Sequence, residues 1–249
     1  MTPVGKSATP PPSPDAWLTY PTRLRRALVL ARPNRFVLHV RLDDGTEAKA
    51  HLGDSGRLTE LGRSGWTVLV DGPYEAPRLP WRAVAADAGD AWVSLRPIDA
   101  NRLARLLLER GFVPELAGGV LRAEVPMGRH RFDFAWTDGV RRALIEVKSA
   151  SLVIDGEALF PDAVSERASR HVEALMGHAR DGFEPWVLFM CQRADARLFR
   201  PAEAIDPVFA RTFRHALGEG LNVRAFRFAA SPLGVDSPSM ILVDPPQPR

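Results

Sequence analysis

Asp133, Glu146 and Lys148 are the residues of this chain whose types and spacing could do chemistry. Glu146 and Lys148 are two apart. If Ala143-Leu-Ile-Glu-Val-Lys148 is a strand, both face one way while Ile145 and Val147 face the other. Asp133 sits between Phe132 and Phe134 in Arg131–Trp136, a second strand-like run that an Asp138-Gly139 turn folds back on the first. With a loop of about four to six residues, Asp133 falls opposite Glu146 or one pair away, within side-chain reach. Two carboxylates beside an apolar sheet repel each other and are costly to desolvate unless a cation lies between them. Mg²⁺ suits such a pair because it takes oxygen ligands and keeps waters that can become nucleophiles, and Mn²⁺ is the alternative. Lys148 would then hold or help deprotonate the attacking water and offset charge on a phosphate.

The tripeptide alone carries little. Glu47-Ala48-Lys49 repeats it, beside an Asp44-Gly45 turn in a polar-alternating stretch, where a surface ion pair is the sensible reading. Glu146-Val147-Lys148 differs in ending an apolar run and in having Asp133 on the partner strand. On spacing alone, a solvated ion pair competes there too.

The elements that must position these residues divide the chain in two. Arg35–Leu42 and Thr46–Leu52 read as a hairpin, and Trp66–Val70 and Ala91–Leu95 add strands. Short strands with frequent Gly and Pro, and no helical pattern before about residue 96, predict a small all-β barrel. After Pro97 the period changes. Asn101–Arg110 places Leu103, Leu106 and Leu107 on one helical stripe. Strands follow at Leu121–Val125, Arg131–Trp136 and Ala143–Lys148. The spacing then predicts a helix from about Asp162 to His178, with Asp162 as its cap. Trp186–Cys191 reads as a strand buried on both faces, Asp206–Leu217 as a helix and Val223–Ala229 as a last strand. The expectation is a mixed α+β chain: a tail over 1–16, a barrel over 17–96, an α/β domain over 97–232 and a tail over 233–249.

Composition sets the outer limits. Hydrophobic residues make up 45% and charged residues 25% of 249, as in an ordinary globular protein. No apolar stretch approaches the roughly 18 residues of a membrane span, and no secretory pattern is visible at the start. One cysteine, Cys191, excludes an internal disulfide and fits the cytoplasm; within an apolar run it reads as a core residue. The histidines lack the spacing of a zinc site. Net charge is +3, which permits a nucleic-acid partner without demanding one. Only three of the 33 basic residues are lysines, Lys6, Lys49 and Lys148. A lysine in such a chain draws notice, because it supplies a compact ammonium with a tunable pKa. Arg23, Arg25, Arg26, Arg32, Arg35 and Arg41 crowd the start of the barrel, as a solvated face or as a groove for a phosphate backbone.

Glu124-Val125, Arg131-Phe-Asp-Phe134, Ile145-Glu-Val-Lys-Ser149 and Ala158-Leu-Phe-Pro-Asp-Ala-Val-Ser-Glu-Arg167 together resemble the sugar fermentation stimulation protein A family. The likeness continues through His171, Cys191-Gln-Arg193 and Asp206-Pro207 and spans most of residues 20 to 230. It implies an N-terminal OB-like barrel joined to a PD-(D/E)xK nuclease-like domain, and DNA binding linked to sugar (maltose) metabolism genes. It makes Asp133 and Glu146 the metal carboxylates, Lys148 the motif lysine and Glu124 a further acidic participant. Arg23, Arg25, Arg26, Arg35 and Arg57 become candidate DNA contacts. So do Arg167 and His171, four apart on a helix. The chain departs from the family at His51–Arg57 and at Ser94–Ala100.

Three readings follow. The chain is a non-sequence-specific DNA-binding protein with a Mg²⁺-dependent nuclease site; or a DNA-binding regulator with a silent nuclease fold; or an interaction protein whose acidic patch holds a structural metal. No membrane partner is expected, and the oligomeric state stays open, a homodimer among the options.

Overall fold

Alternating apolar and polar residues drive the first part of the chain into short strands that bury one face each. The computed structural model describes residues 17–20, 24–54, 58, 64–76, 78–89, 91–191 and 193–245. The tail expected over 1–16 therefore lies outside them. After β1 (Leu18–Thr19) come β2 (Arg25–Asn34), β3 (Val37–Leu42), β4 (Glu47–His51), β5 (Thr67–Asp71), β6 (Trp81–Asp87) and β7 (Trp92–Ser94). β2 pairs with β3 and β5, β3 with β4, β4 in parallel with β6, and β6 with β5, so five strands close on themselves. Val29, Leu38, Val40, Leu52, Val70 and Val93 fill the interior. At the β3–β4 turn Gly45 takes φ +86°, and Thr46 N–H donates to Asp44 Oδ1 at 2.9 Å.

From Pro97 the chain alternates helices with longer strands. α1 (Pro97–Glu109) precedes β8 (Val120–Met127), β9 (His130–Thr137), β10 (Arg142–Ser149), β11 (Leu152–Ile154) and β12 (Glu157–Phe160). Next come α2 (Glu166–Ala179), β13 (Glu184–Cys191), β14 (Leu198–Pro201), α3 (Pro207–Gly218), β15 (Asn222–Ser231) and β16 (Gly234–Val243). The central order is β8-β9-β10-β13-β15-β16, with β10–β13 and β13–β15 parallel and the other pairs antiparallel. α1 covers one face, packing Leu103 and Leu107 with Phe134, Ile145, Val147 and Trp186. α2 and α3 cover the other, packing Val172, Leu175, Phe209 and Phe213 with Leu144, Val187 and Phe189. β13 is buried on both faces because it lies between these layers. Ala230 of β15 pairs with Trp92 of β7, so barrel and second domain share one continuous sheet. Among the described residues no helix is long and apolar enough to cross a membrane.

Three expectations need correction. Of the tail expected over 233–249, residues 234–243 instead form β16, held by a hairpin to β15 and by parallel pairing to β14, and 246–249 lie outside the described residues. Prolines hid β16, but Pro238 stands opposite Phe228 without ending the strand. The helix expected from Asp162 begins at Glu166. Ser165 caps it, accepting from Ala168 N–H at 3.2 Å, since the preceding residues form the β11–β12 hairpin and its exit. The expected α-β-β-β-α-β-α-β order omitted β16, which edges the central sheet, and β11, β12 and β14, which continue from it.

Candidate functional site

Glu146 and Lys148 project from the α2 side of β10, opposite Ile145 and Val147, which pack under α1. β9 pairs with β10 only as far as Phe134 and Ile145. Beyond that point the strands part, and the Asp133 carboxylate takes the place of the ladder: Val147 N–H donates to Asp133 Oδ2 at 2.7 Å. The register thus puts Asp133 across from Glu146. The other oxygen of Asp133 accepts from Asn101 Nδ2, also at 2.7 Å, on the first turns of α1. Buried Asp99 holds that end of the helix, accepting from Arg96 Nε at 2.8 Å and lying 3.5 Å from Arg102.

Glu146 is 4% exposed. Its Oε1 accepts from Lys148 Nζ and from His171 Nδ1, each at 2.6 Å. Arg167 Nε lies 3.4 Å from His171 Nε2. A guanidinium can only donate, so Nε2 accepts and the ring proton sits on Nδ1, where it is given to Glu146. Glu146 Oε2 is buried with no hydrogen-bond partner among the described residues. An orphaned carboxylate oxygen at such depth calls for a cation or a donor.

The two carboxyls are pushed apart electrostatically. Burial raises Asp133 above the usual carboxylate value and the Glu146 charge adds to it, outweighing the hydrogen bonds from Val147 and Asn101 and the attraction of Lys148. Burial would raise Glu146 as well, but the His171 hydrogen bond and the Lys148 ammonium outweigh it and hold the carboxyl low. The donor set fits a hard divalent ion. Glu146 Oε2 is free to ligate, and each Asp133 oxygen keeps a second lone pair beyond its hydrogen bond. No cluster of three or more His, Cys, Asp or Glu forms a metal cage among the described residues. Such an ion would therefore take only two carboxylates from the protein, the sparse ligation Mg²⁺ accepts.

The structure brings together Asp133, Glu146, Lys148, His171 and Arg167, but not Glu124. That residue takes a positive φ of 56° on β8, and its exposed carboxylate pairs with Arg131 at 3.0 Å. His171, expected as a DNA contact, meets Glu146 instead. On the barrel, Arg25 is taken up by Asp43 and Asp44, and Arg41 by Glu47. Arg26 lies over Trp92, and Arg35 over the exposed Phe36 at 4.9 Å. Arg23 and Arg57 lie outside the described residues. Asn101 escaped the sequence reading as a site residue. Its signal was a polar side chain bordering the apolar stripe, in line with Ala104 and Leu108 at i+3 and i+7.

Comparison with known proteins matches this architecture. Residues 30–95 match the model of the SfsA N-terminal OB domain, and residues 99–234 that of the sugar fermentation stimulation protein RE domain. A sugar fermentation stimulation protein homolog of Chloroflexus aurantiacus is 36% identical over 214 residues, covering 85% of this chain and 82% of that protein. One from Geobacter sulfurreducens is 37% identical over 216 residues, covering 85% and 92%. The solved structure of Pyrococcus furiosus SfsA in complex with Ca²⁺ superposes with a TM-score of 0.83, at 23% identity, over 92% of this chain and 99% of that one. With an OB barrel followed by a mixed-sheet domain, and with relatives of this identity along most of its length, the chain belongs to the sugar fermentation stimulation protein family.

Proposed function

We propose that this protein binds DNA without sequence preference and hydrolyses its phosphodiester bonds with a divalent cation, Mg²⁺ or Mn²⁺, held by Asp133 and Glu146. The buried, unpartnered Oε2 of Glu146 beside a second carboxylate carries this reading. Its cost is hard to explain in a protein that binds no cation there. The Ca²⁺ in the Pyrococcus furiosus structure supports a divalent ion in this fold. When bound, such an ion supplies Lewis acidity toward a phosphoryl oxygen and toward water.

The chain's own groups do the rest. Val147 N–H and Asn101 fix both oxygens of Asp133, so that carboxylate needs no reorganisation when substrate arrives. His171 and Lys148 fix Oε1 of Glu146 and leave Oε2 as its ligating atom. Lys148 carries two further N–H donors, enough to orient a water or neutralise a phosphate oxygen. Arg35, whose charge no described residue pairs, and Arg26 offer backbone contacts on the barrel.

The test is incubation with single- and double-stranded DNA in Mg²⁺, in Mn²⁺ and in chelator, beside Asp133→Ala and Lys148→Ala. Metal-dependent cleavage lost in both variants is expected. Cleavage absent throughout, or unchanged in both, would sink the catalytic reading, and affinity that ignores added salt would sink the backbone contacts.

A further inference from the structure

A cavity of about 420 Å³ lies between the barrel and the second domain, lined among others by Arg35 and Asp54 from the barrel and by Ser149, Ser151, Phe160 and Asp162 from the second domain. Asp133, Glu146, Lys148, Arg167 and His171 do not line it, but its walls adjoin theirs along the chain. Ser149 directly follows Lys148, and Ser151 lies within about 10 Å of it along the chain. The Phe160–Asp162 wall leads into α2, which carries Arg167 and His171. The cavity thus lies beside the end of β10, the strand that carries Glu146 and Lys148.

The lining chooses among nucleic-acid parts. A phosphate would meet the carboxylates of Asp54 and Asp162, whose charges also act on nearby Arg32. A nucleobase is neutral and flat, and its edge carries N–H donors. Among the described residues Asp162 Oδ2 is buried without a hydrogen-bond partner, an acceptor in want of such a donor. The Phe160 ring and the Arg35 guanidinium supply faces on which a base stacks, and the Ser151 hydroxyl gives or accepts at its edge. The volume lies within the range of small-ligand pockets.

We infer that this cavity receives one unstacked nucleobase next to the bond being cut, so that the substrate is single-stranded or locally unpaired DNA. A base inside a duplex cannot reach such a pocket without leaving its stack. The inference rests on the DNA-hydrolysis reading above, but its test needs no turnover.

Binding is measured in chelator by fluorescence anisotropy of a labelled 12-mer of deoxyadenosine, of its duplex with thymidine 12-mer, and of an abasic chain of the same length. The single strand should bind roughly tenfold more tightly than the duplex or the abasic chain. Asp162→Ala should reduce the preference for bases over the abasic chain severalfold and leave abasic binding within about twofold. Ser151→Ala gives a second, smaller reduction should Asp162→Ala fail to fold. Equal binding of single strand and duplex overturns the assignment, and so does a base preference untouched by both variants. If the preference falls as expected yet no DNA is cleaved in Mg²⁺ or Mn²⁺, the cavity stands and the hydrolysis reading alone is lost. If DNA is cleaved but both variants keep the wild-type preference, the cavity alone is lost.

Discussion

Glu47-Ala48-Lys49 on β4 and Glu146-Val147-Lys148 on β10 are the same tripeptide pattern in two environments. Glu47 pairs with Arg41 at 3.0 Å, with side chains 64% and 49% exposed. Glu146 pairs with Lys148 at 2.6 Å, with side chains 5% and 12% exposed. β4 meets β6 only at Ala50 and His51, so at Glu47 and Lys49 it has one neighbouring strand. β10 lies between β9 and β13 and beneath helices on both faces. Water around Glu47 screens its charge and makes the pairing nearly neutral in energy. Around Glu146 the protein must provide what water no longer does, and it provides Lys148 and His171 on one oxygen only. A second carboxylate and an orphaned oxygen, rather than the tripeptide, distinguish a candidate site from a surface pair.

The largest expected contrast is catalytic. Glu146→Ala should lower DNA cleavage at least about a thousandfold, as loss of a metal ligand and its charge does, while Glu47→Ala stays within about twofold. Comparable losses in the two variants would erase the distinction drawn between the strands. A smaller effect concerns the metal. At Mg²⁺ or Mn²⁺ a hundredfold above its dissociation constant, binding to the folded state alone adds about 2.7 kcal/mol of stability. Thermal melts should show that gain in the wild type and in Glu47→Ala, but not in Glu146→Ala.

The smallest contrast concerns the ion pairs themselves. His171→Ala should cost about 1.5–3 kcal/mol near neutral pH, the worth of a hydrogen bond to a buried charge. Arg41→Ala should stay within about 0.5 kcal/mol. Because Glu146 is held below its unfolded value, the stability it contributes is complete above that value and is lost as pH falls through the lower folded one. The His171→Ala penalty, read from urea melts, should therefore shrink below about pH 4. Asp133 works in the opposite sense: its raised carboxyl costs stability once ionised, and acidification relieves it. A His171→Ala penalty that does not vary with pH would show that the histidine acts through packing rather than through the Glu146 charge.

Much of this was legible beforehand. The apolar run of β13, the Asp-Gly turn between β3 and β4, and the stripe of α1 announced themselves by period and turn chemistry. The β11–β12 hairpin was legible too but passed over. Its Asp155-Gly156 turn has both residues at positive φ, 52° and 84°, the twist a two-residue hairpin needs. β16 was harder to see, because proline and serine at alternate positions erase the apolar alternation of an ordinary strand.

By itself the sequence determined that Glu146 and Lys148 share a face and that Asp133 stands on the neighbouring strand, since a strand's two-residue period and a short turn leave no alternative. It also determined where the barrel gives way to helices, because the apolar period changes there. Only the tertiary structure decided that Asn101 holds Asp133 across 32 residues of chain, and that His171 holds Glu146 across 25. The same packing took Glu124 out of the site and left Glu146 Oε2 without a partner. Those outcomes depend on how helices lie against a twisted sheet, and local periodicity carries no information about which polar atoms that packing satisfies.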